Sequence, residues 1–140
     1  MKKIIILSVV VLLLANSQSF CQSINLPIDS VKTFLCKKWQ MDYTMTGGMR
    51  LDPMPGAVIM NFEFYKDGTL NLTNNKDAER STGTWSYNKN KKLISVAIKG
   101  GSNMTISSLK EDELIIVMDM SKATPDDPTE IKLFFKIKTT

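Results

Sequence analysis

The sequence predicts an all-β protein, an eight-stranded up-and-down barrel with a short N-terminal helix. Three observations lead to this fold class. An N-terminal segment has the pattern of a signal peptide, and its removal leaves a length suited to one domain. Beyond one short amphipathic stretch, apolar residues recur at every second position. Eight such runs follow one another, and most are joined by short turns, as in an antiparallel meander.

Residues 1–21 have the layout of a secretory signal peptide. Two lysines precede the apolar run Ile4–Ala15, and the small residues Ser19 and Cys21 occupy the −3 and −1 positions of a cleavage site. The run is too short to cross a bilayer as a helix. We therefore expect a domain of residues 22–140 that is exported to the periplasm or secreted.

Two alternatives to this cleavage concern the same segment. A retained membrane anchor would need a longer apolar run. Lipid attachment at Cys21 would make the protein membrane-bound. The residue before a lipidated cysteine is normally small, and here it is Phe20. Cleavage after Cys21 therefore fits the segment better than either alternative.

Charge and cysteine content exclude several classes of protein. The chain has 18 basic and 14 acidic residues, and loss of the two signal-peptide lysines leaves 16 basic residues against the same 14 acidic ones. This small excess of basic residues is not the strongly basic composition that is typical of nucleic-acid-binding proteins. Cys36 is the one cysteine that follows the signal peptide, so no internal disulfide can form and the fold must depend on its apolar core.

One short helix and eight strands account for the rest of the chain. The helix is predicted at about 30–36, with Asp29 as its N-cap and with Ile28, Val31 and Leu35 on one apolar face. Asp67-Gly68 is a strong hairpin signal. The strands are predicted at about 38–46, 57–66, 69–75, 82–88, 92–99, 102–109, 113–121 and 130–138.

The alternation assigns one set of side chains to the barrel interior. No charged residue occurs in this set, whereas the opposite positions are mostly polar. A closed barrel fits eight such strands best, with an open sandwich as the alternative because alternation does not prove closure. The inward set is Trp39, Met41, Tyr43, Met45, Val58, Met60, Phe62, Phe64, Leu70, Leu72, Trp85, Tyr87, Ile94, Val96, Ile98, Met104, Ile106, Leu114, Ile116, Met118, Met120, Ile131, Leu133, Phe135 and Ile137.

Five short motifs carry a family resemblance. They are Leu35–Trp39, Phe62-Glu63-Phe64, Lys66-Asp67-Gly68-Thr69, Gly83-Thr84-Trp85 and Leu109–Leu114. Through these motifs the chain resembles the lipocalin-like domain families found in envelope proteins of Gram-negative bacteria. It departs from lipocalins at Lys37, where they usually carry glycine. The resemblance covers most of the chain after the signal peptide. It implies a barrel and no particular activity, because such families share an architecture while differing in role.

Methionines gather at one end of the predicted barrel. A meander brings the connections 47–56, 76–81, 100–101 and 122–129 to a common end, called the loop end below, while the helix plugs the other. Flexible, polarizable thioethers suit a pocket for varied apolar ligands. A core filled by its own side chains and a Cu(I) site of thioethers are the alternatives. The predicted ligand-binding residues are Tyr43, Met45, Met60, Trp85, Met104, Met118 and Met120.

Charged groups near the loop end offer a possible head-group contact. Both arginines, Arg50 and Arg80, lie in loop-end connections and could hold a carboxylate or phosphate. The surrounding rim is net acidic, which favours the reading that both are solvated surface charges. Asp126-Asp127 with Glu130 is a second candidate, for calcium, but it lacks a recognisable ligand spacing.

Two function classes remain open. The chain contains no histidine and no recognisable nucleophile with a base partner, so we expect no enzyme, and no cofactor or metal. A carrier of a small apolar or amphipathic molecule is the first class. A protein-interaction module, such as an inhibitor or an envelope-complex subunit, is the second. Outward-facing Ile115, Val117 and Phe134 on adjacent strands favour the second if nothing covers them.

Overall fold

A computed structural model describes residues 23–77, 79–119 and 130–139. Within these ranges the chain forms one helix and nine strands, and every pair of neighbouring strands is antiparallel. The elements are α1 (Ile28–Leu35), β1 (Lys38–Thr46), β2 (Met49–Leu51), β3 (Met60–Phe64), β4 (Thr69–Asn74), β5 (Ser81–Asn88), β6 (Leu93–Ile98), β7 (Asn103–Leu109), β8 (Glu113–Asp119) and β9 (Glu130–Ile137).

The sheet closes on itself into an eight-stranded antiparallel barrel. Strands β3 to β9 pair in sequence order, and β1 pairs with both β3 and β9. The β1–β9 seam runs from Trp39 opposite Ile137 to Thr46 opposite Ile131, almost the full length of β1. This pairing confirms the predicted closed barrel and excludes the open sandwich.

The short strand β2 is an addition to the predicted set. Gly47 and Gly48 have φ angles of 54° and 78°, which suits a two-residue hairpin turn, and the chain returns to pair with the end of β1. The connection predicted at 47–56 is therefore wrong at its start. The strand predicted from residue 57 begins only at Met60, so Val58 lies outside the sheet with 47% of its surface exposed and is not an inward residue.

The predicted plug at one end of the barrel is present. Helix α1 begins at Ile28 with Pro27 as its N-cap, so Asp29 lies in the first turn and is not the predicted cap. Val31 and Leu35 on its apolar face are fully buried in the core cluster, whereas Ile28 in the first turn is 46% exposed and does not join the predicted apolar face. Trp39 is also fully buried, and its indole Nε1–H donates to the carbonyl of Leu35 at 2.9 Å. We call this the helix end.

A segment before the helix completes the seal. Ile24 is 6% exposed, and its backbone N–H donates to the carbonyl of Lys92 in the β5–β6 turn at 2.9 Å. The hydroxyl of Tyr87 lies 3.0 Å from the carbonyl of Ile24 and 2.9 Å from that of Leu26. A hydroxyl has one hydrogen, so it donates to one of these carbonyls at a time. These bonds fasten the segment across the helix end.

Three phenylalanines form the centre of the barrel core. Phe62 lies 5.5 Å from Phe64 in a stacked arrangement and 5.4 Å from Phe135 edge-on, measured between ring centroids. All three are at most 2% exposed. Such pairs add about 0.5–1.5 kcal/mol each to the free energy gained from burial alone. No buried polar or charged residue occurs in the described core.

The hairpin signal at Asp67-Gly68 is confirmed. Asp67 accepts bonds from the backbone N–H of Thr69 at 2.9 Å and from its hydroxyl at 2.6 Å, and these bonds lower the pKa of the Asp67 carboxyl. Gly68 has a φ of 89°, a conformation that side-chain-bearing residues rarely adopt. The turn joins β3 to β4 at the helix end.

The opposite end carries the longer connections. There the chain passes from β2 to β3, from β4 to β5 and from β6 to β7, and there β8 ends and β9 begins. This is the loop end that the sequence predicts. In the part of the chain that the structure describes, no helix is long and apolar enough to span a membrane.

Candidate functional site

The register of the β1–β9 seam decides which side chains face the barrel interior. Directly opposite residues of an antiparallel pair point to the same face of the sheet. Met41 lies opposite Phe135, which is buried inside, but the next pair is Tyr43 with Phe134. Between these two pairs, β1 advances by two residues while β9 advances by only one. This bulge at Asp42 turns the rest of β1 over.

The bulge places two predicted ligand-binding residues outside the barrel. The ring of Tyr43 stacks on the ring of Phe134 on the outer face, with centroids 4.3 Å apart. Met45 lies opposite Lys132, which is also outward and exposed. The inward orientation predicted for Tyr43 and Met45 is therefore wrong. Thr44 and Thr46 take the inward positions instead, opposite Leu133 and Ile131.

Arg50 does not lie at the barrel interior. Its guanidinium carbon lies 3.7 Å from the centroid of the Tyr43 ring, and its Nη2 lies 2.8 Å from Asp52 Oδ1. The hydrogen bond to Asp52 raises the pKa of Arg50 further above its usual value. The guanidinium is already engaged by an aromatic face and a carboxylate. The structure therefore does not place Arg50 where the sequence analysis predicted a contact with a ligand head group.

Arg80 also turns away from the interior. It lines a groove on the outer face of β3 and β4, together with Asn61 and Thr73. Those two residues alternate with buried Phe62 and half-buried Leu72 and so point outward. Neither arginine is brought to the interior at the loop end, whose lining is mainly apolar and does not include these cations.

The structure does bring three of the predicted methionines to the interior. Met118 of β8 lies opposite both Met104 of β7 and Ile131 of β9. Met60 lies opposite Asn74, two residues before the core residue Phe62 on β3 and therefore on the same face. Met104 is only 7% exposed, whereas Met60, Met118 and Ile131 are half-buried against the core. These side chains form the boundary between the packed core and the loop end.

Two other predicted site residues do not join this group. Trp85 is inward and 7% exposed, but it lies towards the helix end, where its Nε1–H donates to the carbonyl of Tyr65 at 2.8 Å. It belongs to the sealed half of the barrel. Met120 lies outside the described residues, as does the acidic pair Asp126-Asp127 proposed for calcium.

The hairpin supplies two inner-face residues that the sequence analysis missed. Leu51 lies opposite Thr44 and Met49 opposite Thr46, so both are on the inner face. They are 50% and 65% exposed, which is unusual for large apolar side chains. The signal that could have found them is Gly47-Gly48, a dipeptide typical of tight hairpins, followed by the alternating Met49-Arg50-Leu51.

The chemistry of the loop-end interior is apolar and adaptable. Thioether and aliphatic side chains dominate, with the hydroxyls of Thr44 and Thr46 and the amide of Asn74 as polar groups on the same face. In the ranges that the structure describes, no three His, Cys, Asp or Glu residues cluster to hold a metal ion. Burial raises the pKa of the Cys36 thiol, which keeps it protonated and weakly reactive at neutral pH.

A family comparison agrees with this architecture. The model of the lipocalin-like domain matches residues 35–116, more than half of the chain. The chain belongs to the lipocalin-like domain family. The match spans the chain from the end of α1 into β8, and it includes the inward Met60 and Met104. No curated protein and no solved structure matches the chain significantly.

Proposed function

We propose that this lipocalin-like protein is exported and binds a small apolar or amphipathic molecule at the loop end of its barrel. The family supports a ligand-binding barrel in general terms. The observation that carries the proposal is a largely apolar row on the inner face at the loop end. The row runs across paired strands from Met104 and Met118 through Ile131 and Thr46 to Met49, and exposure rises along it from 7% at Met104 to 65% at Met49.

Exposure of this kind favours a binding role over a purely structural one. Large apolar side chains that face water lose the free energy of burial, roughly 25 cal/mol for each Å² left accessible. A ligand that covers Met49 and Leu51 recovers that free energy. At the helix end the protein itself covers its apolar side chains, because Val31 and Leu35 of α1 pack into the core and are fully buried.

The side-chain types indicate the range of ligands. Methionine has three rotatable bonds and a polarizable sulfur, so it fills irregular gaps without imposing one shape. We therefore expect several unrelated lipophiles to bind, each with a dissociation constant of about 1 μM or weaker, because adaptable contacts carry an ordering cost. The threonine hydroxyls on the same face suit a weakly polar head group better than a strongly charged one.

Titration with a fluorescent lipophile tests the proposal. The informative variant is Met118→Lys, which introduces a charge among apolar inward side chains and should weaken binding at least about tenfold. Met45→Lys is the matched control, since it makes the same substitution at a half-buried methionine on the outer face of the same barrel. It should bind as the unchanged protein does.

The thermal midpoints of both variants show whether each is folded, so that a loss of binding can be distinguished from unfolding. Half-buried Met118 lies where water reaches its side chain, so Met118→Lys should remain folded. Absence of binding by the unchanged protein, together with global unfolding of Met118→Lys, would mean a solid core at this position. Equal loss of binding in both variants would show that the lipophile adsorbs to the outer surface.

Export has its own test. N-terminal sequencing of the protein recovered from its own cell envelope should give Gln22 as the first residue, because the small residues Ser19 and Cys21 precede it. An intact Met1 would contradict export by cleavage. An increase in mass that corresponds to acyl chains on Cys21 would show that the protein is anchored to a membrane and not released.

A protein-interaction module is the second candidate, and one outer surface favours it. Phe134 lies between Tyr43 and Ile115 in one row across three strands, and Val117 lies in the next row. All four are only half-buried. Apolar residues grouped on an outer sheet face are typical of contact surfaces. Native mass spectrometry of the protein from its own envelope distinguishes the candidates, because a co-purifying polypeptide favours this one and a small molecule the first.

A further inference from the structure

One segment at the loop end carries a large share of the exposed apolar side chains. Seven large apolar residues are exposed in the part of the chain that the structure describes, and four of them lie between residues 49 and 58. They are Met49, Leu51, Met54 and Val58, of which Met54 is the most exposed at 79%. Scattered exposed apolar residues are ordinary, whereas grouped ones mark contact surfaces. We call residues 49–58 the apolar loop.

Hydrogen bonds fix the shape of this loop. The backbone N–H of Ala57 donates to the carbonyl of Met54 at 2.9 Å across Pro55-Gly56, where the glycine has the φ of 81° that a type II turn requires. Asn75, which follows β4, holds the end of the loop. Its Oδ1 accepts from the N–H of Ile59 at 2.7 Å, and its Nδ2 donates to the carbonyl of Ala57 at 3.0 Å. The exposed side chains are therefore presented by an ordered backbone, so a contact made through them has a low ordering cost.

The charges of the apolar loop cancel within it. Arg50 and Asp52 are its two charged residues. Both Nε and Nη2 of Arg50 lie within 2.9 Å of Asp52 Oδ1, and the guanidinium packs on the ring of Tyr43 at the outer face of the barrel. The ion pair is thus held back against the wall. What the loop presents to a partner is apolar and carries no net charge.

The size of this surface distinguishes between kinds of partner. A stable protein complex buries about 800 Å² on each side. Four partly exposed side chains supply roughly a few hundred Å², which is too little for a stable dimer. A lipid bilayer needs no matching surface, because apolar side chains enter the boundary between its head groups and acyl chains to a depth of about 5–10 Å. An uncharged apolar loop of this size therefore fits a bilayer better than a second protein.

We propose that the apolar loop docks the loop end of the barrel on a zwitterionic phospholipid bilayer, with Met54 and Val58 entering the boundary between head groups and acyl chains. The proposal rests on the proposed function in one respect. Met49 and Leu51 join the loop to the inner face, so docking turns the lipophile site towards the bilayer, where apolar molecules concentrate. Docking itself needs no lipophile and is tested without one.

Co-sedimentation with vesicles measures docking. Protein recovered from its cell envelope is mixed with vesicles of phosphatidylcholine, alone or with phosphatidylglycerol, at low and high sodium chloride. We expect similar binding to both compositions and little effect of salt, because salt screens charges and not apolar contacts. Binding confined to vesicles with phosphatidylglycerol and abolished by salt would overturn the proposal, because charge would then hold the protein. Absence of binding to both would overturn it as well.

Serine substitutions assign the binding to the loop. Met54→Ser should weaken vesicle binding about tenfold, and Val58→Ser several-fold, because each removes apolar surface that the bilayer covers. Ile28→Ser is the matched control for Val58→Ser, since the two side chains are 46% and 47% exposed but Ile28 lies at the helix end. It should bind as the unchanged protein does. Equal effects of Val58→Ser and Ile28→Ser, or no effect of Met54→Ser, would mean that another part of the chain holds the protein.

A fluorescent side chain tests the depth of the loop. Met54→Trp places an indole at the turn, and vesicles of brominated phosphatidylcholine quench an indole that reaches the acyl chains. Trp39 and Trp85 are buried in the barrel, so the unchanged protein should show little quenching. The emission of the variant should shift to the blue and be quenched. Co-sedimentation without quenching would place the loop outside the bilayer and contradict the proposal.

Analytical ultracentrifugation without vesicles tests the competing occupant. We expect a monomer. A dimer that is lost in Met54→Ser would assign the apolar loop to a second copy of the chain and overturn the proposal. The lipophile titration in solution is a separate measurement, and Met54→Ser should leave it unchanged. Failure of vesicle docking therefore leaves the proposed function standing, and failure of the titration leaves docking standing.

Discussion

The two ends of this barrel are built from similar apolar side chains but are finished differently. At the helix end, Val31, Leu35 and Trp39 are fully buried, and backbone bonds fasten the preceding segment over them. At the loop end, Met60 and Met118 are half-buried, and the inner face continues into exposed side chains of the β1–β2 hairpin. Together with the proposed function, the difference assigns stability mainly to the helix end and binding to the loop end.

This division matters because the same residue types serve both purposes. Apolar side chains lower the free energy of the folded state only where the protein itself covers them. Where they stay accessible, covering them is left to a ligand or partner. Substitutions at the helix end should therefore affect folding, and those at the exposed part of the loop end should affect binding.

The largest expected effect is at the helix end. Trp39→Ala should lower the free energy of unfolding by about 3–5 kcal/mol, because it empties a fully buried aromatic site. Trp39→Phe is the control that keeps an aromatic ring and most of the volume but removes the bond from Nε1 to Leu35. It should cost clearly less. Chemical denaturation measures both, and an unchanged midpoint for Trp39→Ala would contradict a sealed helix end.

A smaller effect is expected in the wall near the loop end. A methyl group added at Gly83 would overlap the carbonyl oxygen of Ala97 on the neighbouring strand and press on Ile98. Gly83→Ala should therefore cost about 1–3 kcal/mol by overpacking, measured as a lowered thermal midpoint. This would show that the wall is tightly paired even where the interior is exposed. A neutral substitution would mean that the strands separate easily there.

A still smaller stability effect is expected at the hairpin. Met49→Ser with Leu51→Ser should change the free energy of unfolding by no more than about 0.5 kcal/mol per site, because both side chains are at least half exposed. The same variant should bind lipophiles more weakly. The control is Met54→Ser, at a residue that is 79% exposed and outside the strands. Strong destabilisation by the double substitution would place these side chains in the core.

The smallest effect is expected at an exposed turn of the helix end. Asp67→Asn should slightly lower the thermal midpoint at neutral pH, because the bonds from Thr69 favour the charged carboxylate and lower its pKa. That contribution is present above the ordinary pKa and is lost as pH falls through the lowered pKa of the folded state. The two midpoints should therefore converge in strong acid. A difference that persists there would mean that the charge has no part in the effect.

Most of the fold could be predicted from the sequence, because alternation and turn residues are local signals. The barrel, the plugging helix and the turn at Asp67-Gly68 all rest on such signals. The bulge at Asp42 could not be predicted in this way. The run Trp39, Met41, Tyr43, Met45 alternates without a break, and only the pairing with β9 shows that one residue is extra.

A second bulge had a similar consequence. The pairing of β7 with β8 shifts between Ile106 and Ser108, so Leu109 returns to the interior and is 8% exposed. Alternation from Ile106 alone would turn Leu109 outward. Site prediction suffers more than fold prediction from such events, because one inserted residue leaves the strand in place but exchanges its two faces. This is why Tyr43 and Met45 left the predicted site while Met60 and Met118 stayed.

The most direct test of the account is the position of a bound lipophile relative to the two ends. A fatty acid that carries a nitroxide spin label is added to protein labelled at its methionine and leucine methyl groups. The account predicts broadening of the methyl signals of Met60, Met118 and Leu51, while those of Leu35 and Leu114 stay sharp. Broadening centred on Leu35, or equal broadening of Met45 and Met118, would contradict a binding site inside the barrel at the loop end.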